Sequence, residues 1–169
     1  MNEYFNIYKV KNFNTHKQKL IELIHKIPKT TYTDKDQQIS HTDWQIPSTM
    51  YREYFDYFIK NIFYDFEKEL KINFNADKIV LSNLWFQKYN CSDFHNFHRH
   101  GSAHFSNVFF IELPKLDLKT EIYNLKNERI NIDINEGDIL TFPAFLKHKS
   151  VENKNINSKI IISFNIDLE

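Results

Sequence analysis

Two kinds of periodicity divide the chain. Between residues 49 and 70, Tyr51, Phe55, Phe58, Ile62, Phe66 and Leu70 recur at helical spacing, with Arg52, Lys60 and Glu67 elsewhere on the wheel. This predicts an amphipathic helix whose aromatic stripe packs on the outside of a sheet. A shorter helix is expected ahead of it. Leu20, Ile21, Ile24 and Ile27 form one stripe, Asn14-Thr15 offers an N-cap, and Pro28 supplies a stop. Residues 3–11 alternate loosely and carry β-formers, so a first strand is expected there. Residues 29–48 are polar, with Trp44 and Pro47 embedded, and read as a long loop in the position of a flap. The acidic run Asp34-Lys35-Asp36 within it lacks the central glycine and distal glutamate of a calcium loop.

Beyond residue 77 the period shifts to two. KIVLSNLWFQKYN, FSNVFFIEL, LKTEIYNL, ERINIDINE, DILTF and KIIISFNID are short β-type runs with brief polar breaks. LKTEIYNL and ERINIDINE, joined through Lys126-Asn127, predict a hairpin, with Ile130, Ile132 and Ile134 in strict alternation. Helices followed by many strands predict one α+β domain over residues 1–169: a helical part of about 1–77 and a β core of about 78–169. The expected core is an antiparallel jelly roll, or double-stranded β-helix, with the N-terminal helices on an outer sheet face.

The candidate chemistry is concentrated in WFQKYNCSDFHNFHRHGSAHFSNVFFI, residues 85–111. On a strand, residues i and i+2 share a face, so His98 and His100 present two imidazoles to one side. Imidazole nitrogen is the commonest protein ligand for first-row metals. A third ligand is sought elsewhere, and the candidate is His148 in EGDILTFPAFLKHKSVEN. The two glycines of the chain, Gly101 and Gly137, stand near these segments and suggest tight turns at the mouth of the β structure. On the last strand Lys159, Ile161, Ser163 and Asn165 share one face, which leaves Lys159 either a buried anion partner or a solvent-facing edge residue. Trp85, Phe109, Phe110 and Phe145 are candidates for a dry wall, while His95 and His104 read as surface or core residues with a supporting role open to them.

Composition narrows the partners. Lys+Arg and Asp+Glu both number 22, so no global basic field for nucleic acid exists. No apolar run approaches the roughly 20 residues of a membrane span, and the N-terminus lacks a signal-peptide apolar core. The lone cysteine, Cys91, rules out an intramolecular disulfide and points to a reducing, cytoplasmic setting.

In this order, WFQKYNCSDFHNFHRHGSAHFSNVFFIELP, EGDILTFPAFLKHKSVEN and SKIIISFNI resemble the iron(II)/2-oxoglutarate-dependent oxygenases, in particular the small ones of marine phages and bacteria. The resemblance spans residues 80–167, with a weaker echo in HTDWQIPS. It implies a hydroxylase-type dioxygenase that uses Fe(II), 2-oxoglutarate and O2 and releases succinate and carbon dioxide. His98 and His148 match its iron-ligand histidines. His100 stands where the wider family has an Asp or Glu, and Lys159 where it usually has an arginine that pairs with the distal carboxylate of 2-oxoglutarate. Ser163 and Asn165 fall on the same cofactor-binding face, and Ile161 replaces the serine expected two residues after the basic position. Two other readings stay open: a cupin-like three-histidine dioxygenase that needs no 2-oxo acid, and a non-enzymatic jelly-roll binding module. The substrate class is open among peptide side chains, nucleotides, lipids and small metabolites, and so is the oligomeric state.

Overall fold

The computed structural model describes residues 4–47 and 49–169; Glu3 of the expected first strand and Ser48 of the polar stretch lie outside them. In chain order the elements are β1 (Asn6–Lys9), α1 (Phe13–His25), β2 (Tyr32–Thr33), β3 (Gln37–Ile39), β4 (His41–Thr42), α2 (Glu53–Phe58) and α3 (Tyr64–Phe74). The strands β5 (Ile79–Tyr89), β6 (Phe94–His98), β7 (Phe105–Glu112), β8 (Thr120–Tyr123), β9 (Arg129–Ile130), β10 (Asp138–Pro143), β11 (Lys147–Ser150) and β12 (Lys159–Leu168) follow. They form two antiparallel six-stranded sheets, ordered β1-β10-β7-β12-β5-β4 and β2-β3-β6-β11-β8-β9. This is the expected α+β double-stranded β-helix, with the helices on the outer face of the first sheet.

Alternation along β12 decides which core each residue enters. Ile160, Ile162, Phe164 and Ile166 join the helix-side core, and Ile161 joins the core between the sheets. By the same parity Lys159, Ser163 and Asn165 face between the sheets, as the sequence predicts.

The aromatic helix departs from its expected bounds. It is one run from α2 to α3 broken by a π turn at Ile59–Phe63, and Tyr51 lies before it with 70% of its surface exposed. The buried positions are Tyr54, Phe58, Ile62, Phe66 and Leu70, each four residues after the last. On a regular helix a spacing of four precesses by about 40° per step, because 3.6 residues complete a turn. The wider π turn absorbs that drift and keeps the stripe, with Phe63 added, against Phe86, Phe109 and Phe164. Phe58→Ala or Phe66→Ala is expected to cost about 3–5 kcal/mol of stability, since both are fully buried. Urea unfolding measures this, and metal affinity of the folded fraction should hardly change.

The polar stretch is not the structureless loop expected of it. β2 and β3 form a hairpin closed by Asp34, whose Oδ1 accepts the Asp36 and Gln37 amides at 2.7 and 3.0 Å. β3 pairs with β6 and β4 with β5. These strands are two or three residues long and held by backbone pairing, so hydrophobic alternation had no length over which to show. The second arm of the predicted hairpin is shorter too. β9 ends at Ile130, although Ile134 is buried at 1% exposure without a ladder.

Gly137 also differs from expectation. Its φ of 93° and the Phe13 ring 2.8 Å from any added Cβ explain the glycine. Its amide bonds to Phe110 near the far end of β7, whereas the histidine segment meets β10 at its other end, through Ala144.

Candidate metal centre

The site begins with a defect in β6. His148 on β11 pairs with His98, but Ser150, two residues on, pairs with His95, three residues back. One extra residue on β6 therefore makes a β-bulge. Its Asn96 carbonyl accepts a hydrogen bond from His98 Nδ1 at 2.9 Å. On β11 the Leu146 carbonyl accepts from His148 Nδ1, also at 2.9 Å. A carbonyl can only accept, so both Nδ1 atoms carry protons and both Nε2 atoms keep free lone pairs. His100 follows the strand, tied through its amide to the Ala144 carbonyl at 3.0 Å. Its Nδ1 lies 3.4 Å from Asn165 Nδ2.

These three imidazoles converge. One potential ligand atom from each of His98, His100 and His148 lies within 4.8 Å of the others, and no carboxylate joins the group among the described residues. Three nitrogens at 2.0–2.1 Å on one side of an ion sit roughly 3–3.5 Å apart, so the rings must draw together to close on it. Burial drives His148 well below its ordinary pKa, with His98 and His100 adding to the effect. Burial and His98 hold His100 at about 4, and burial also lowers His98. All three are neutral at pH 7, as ligation needs.

The lowered values fix a pH response of the metal-free protein. Below the unfolded histidine pKa of about 6.5 the unfolded chain takes up protons that the native histidines refuse. Stability should therefore fall as pH drops from about 7 towards 4, at up to about 1.4 kcal/mol per pH unit for each such histidine. Urea unfolding of the metal-free protein between pH 4.5 and 7.5 checks this; a flat profile would contradict the burial of these rings.

Below the histidines a narrow cup runs between the sheets, with Trp85, Gln87, Tyr89, Asn107 and Ser150 in its wall. Lys159 is fully buried against it, its Nζ donating to Ser150 Oγ at 2.9 Å and lying 5.3 Å from the centre of the Tyr89 ring. No carboxylate pairs with it among the described residues, and burial pulls its pKa down to about 7. Burial pushes the Tyr89 hydroxyl up, against a hydrogen bond with Ser150. Ser163 lies in the wall and donates to Gln87 at 3.4 Å, whereas Asn165 sits beside His100 rather than beside Lys159.

Of the expected wall residues, Trp85 lines the cup and packs 5.9 Å from His100, ring to ring. Phe110 enters the core between the sheets, but Phe109 faces the helices and Phe145 is 55% exposed in the turn after β10. Phe142 takes the expected place instead, its ring edge-on to His148 at 4.8 Å. His104 lies outside, its Nδ1 accepting the Leu168 amide. Tyr89 and Ser150 were missed by the sequence reading, although their parity with Trp85 and His148 was available. Outward, the cup opens to a groove bordered by Tyr32, Trp44, Asn83 and Arg99. Trp44 stands edge-on to Trp85 at 4.5 Å. Its mount is rigid, because buried Asp43 next to it accepts from the Phe86 amide, Arg52 and Tyr54.

No protein-family model and no curated protein matches the chain. Solved structures do. A viral collagen prolyl hydroxylase from Paramecium Bursaria Chlorella virus-1, in complex with 2OG, aligns with 98% of this chain and 96% of its own at TM-score 0.62 and 17% identity. An oxidoreductase of the 2OG-Fe(II) oxygenase family from Burkholderia pseudomallei aligns at TM-score 0.73 and 9% identity, over 98% of this chain and 85% of its own. A Trichoplax adhaerens prolyl hydroxylase, solved with a hypoxia inducible factor peptide, aligns at TM-score 0.63 and 11% identity, over 98% and 84%. This chain thus has the fold of the 2OG-Fe(II) oxygenases.

Proposed function

We propose that the protein is a non-haem iron(II)- and 2-oxoglutarate-dependent dioxygenase, acting on a small molecule or a side chain. The observation that carries this reading is one cup with two complementary ends. Three neutral imidazoles converge at its mouth, and a fully buried lysine without an anionic partner among the described residues lies behind Ser150 of its wall. A buried ammonium is costly unless an anion meets it, and a dicarboxylate held by a metal at one end supplies that anion at the other.

In this reading His98 and His148 hold the ion through Nε2. His100 completes the set through Nε2 if Asn165 turns its amide oxygen to the His100 Nδ1 proton, with Ser106 then accepting from the amide nitrogen; Ser106 and Asn165 lie 2.9 Å apart. Lys159, with Ser150 and Tyr89 beside it, binds the distal carboxylate. Trp85, Phe142 and Ile161 keep water from the reacting end. Bound iron(II), 2-oxoglutarate and O2 supply oxidative decarboxylation to succinate and carbon dioxide, coupled to oxidation of a substrate C–H bond.

Three neutral ligands leave the ion its full charge, where a carboxylate would offset part of it. That feature also favours the cupin-like alternative, in which no 2-oxo acid is used. Incubation of the iron-loaded protein with 2-oxoglutarate and oxygen separates the two. Succinate above the level of the metal-free protein supports the proposal; anaerobic failure to bind 2-oxoglutarate with iron in place ends it.

A further inference from the structure

Were β6 regular, His95 would point away from His98, since three residues separate them. The bulge reverses that parity. The two rings lie stacked, 3.8 Å between centres and 7° from parallel. His95 lines both the cup and the outer groove, and neither of its ring nitrogens has a hydrogen-bond partner among the described residues. The pairing also sets its depth. His98 and His148 face each other at the metal level, and His95 and Ser150 are the next inward pair. Two residues along β11 amount to roughly 6.6 Å. Ser150 at that depth holds the Lys159 ammonium. A diacid reaching from the metal to Lys159 must therefore run past the His95 ring.

We propose that His95 is a ligand-binding residue of the cup, its imidazole donating a hydrogen bond to the distal carboxylate that Lys159 pairs with. This rests on the function proposed above. A lysine is a point charge and covers a carboxylate, with its four or so lone-pair sites, less completely than a guanidinium fork does. The neighbouring hydroxyls and the His95 donor make up the difference. The bulge is then a feature of the binding site, because it turns a fourth imidazole inward without moving His98 off its partner.

The test is titration of 2-oxoglutarate into iron(II)-loaded protein without oxygen, beside a titration of the metal alone. His95→Phe keeps a flat ring against His98 and removes the donor. It should weaken 2-oxoglutarate about 10- to 100-fold, as for a lost hydrogen bond to a charged group, with metal affinity unchanged. His95→Gln restores a donor and should recover much of the loss. Unchanged 2-oxoglutarate binding in His95→Phe overturns the inference. So does an equal loss of metal affinity, which would make His95 only a prop for His98. A parent that binds iron but no 2-oxoglutarate defeats the function proposal itself, and this inference with it.

Discussion

His148→Ala is expected to lose metal by at least about 100-fold, more than the loss usually caused by altering a partner of a ligand. His148 is 4% exposed, has its Nδ1 proton fixed by Leu146 and sits opposite His98 on the neighbouring strand. Among the described residues the ligand cluster consists of His98, His100 and His148. The measurement is metal content after dialysis, with cobalt(II) titration for the affinity and a melting curve to confirm folding. His104→Ala serves as the control, since that ring lies at the surface and accepts only the Leu168 amide. His100→Asp should keep the metal, because a carboxylate there still offers an oxygen to the same point. Parent-like affinity in His148→Ala would remove the metal centre from this cup.

Lys159 gives the second large effect, and it has two signs. Lys159→Ala should weaken 2-oxoglutarate by about 2–5 kcal/mol, the range for truncating one partner of a desolvated charge pair. Lys159→Met, which fills the same space without charge, should instead stabilise the ligand-free protein at neutral pH. The parent carries a fully buried ammonium there with only a serine hydroxyl against it. Its folded pKa of about 7 lies below the unfolded value of about 10.5. Between these values the unfolded chain holds the extra proton, so parent stability should rise with pH from 7 to 10, and Lys159→Met should lack that rise. Urea unfolding across this range, with anaerobic titration of 2-oxoglutarate, reads both signs. A Lys159→Met protein less stable than the parent would mean that the ammonium is already satisfied.

The β core was legible because its strands are long enough for alternation to average. β12 carries four apolar residues on one face and the Lys159-to-Asn165 series on the other; parity put Lys159, Ser163 and Asn165 on one side, and the resemblance pointed to the basic end. His98 and His100 were legible from their i, i+2 spacing, and His148 as a histidine in a later β-type segment. What failed were features that break a period. His95 read as a surface or core residue with a supporting role open to it; a bulge of one residue turns it inward, and residues 95–98 (HNFH) carry no mark of that bulge. The helix starts only at Glu53, which leaves Tyr51 outside the stripe, and the π turn brings Phe63 into it. β2, β3 and β4 escaped notice because they are only two or three residues long, specified by the partners they pair with more than by their own side chains. Phe109 and Phe110 show the remaining limit: adjacent residues on a strand buried on both faces cannot both line one cavity.

The carbonyls of Asn96 and Leu146 have a consequence for proton stoichiometry. In solution a neutral imidazole divides its proton between two nitrogens, and half the time or more the atom a metal wants is the blocked one. Here His98 and His148 keep that proton on Nδ1, and their pKa values lie below the ordinary range. At neutral pH these two rings therefore meet an incoming cation already in the ligating tautomer, with no proton to expel. Loading of the site is then insensitive to the buffer's heat of ionisation, and its cost falls on dehydrating the ion rather than on preparing the protein.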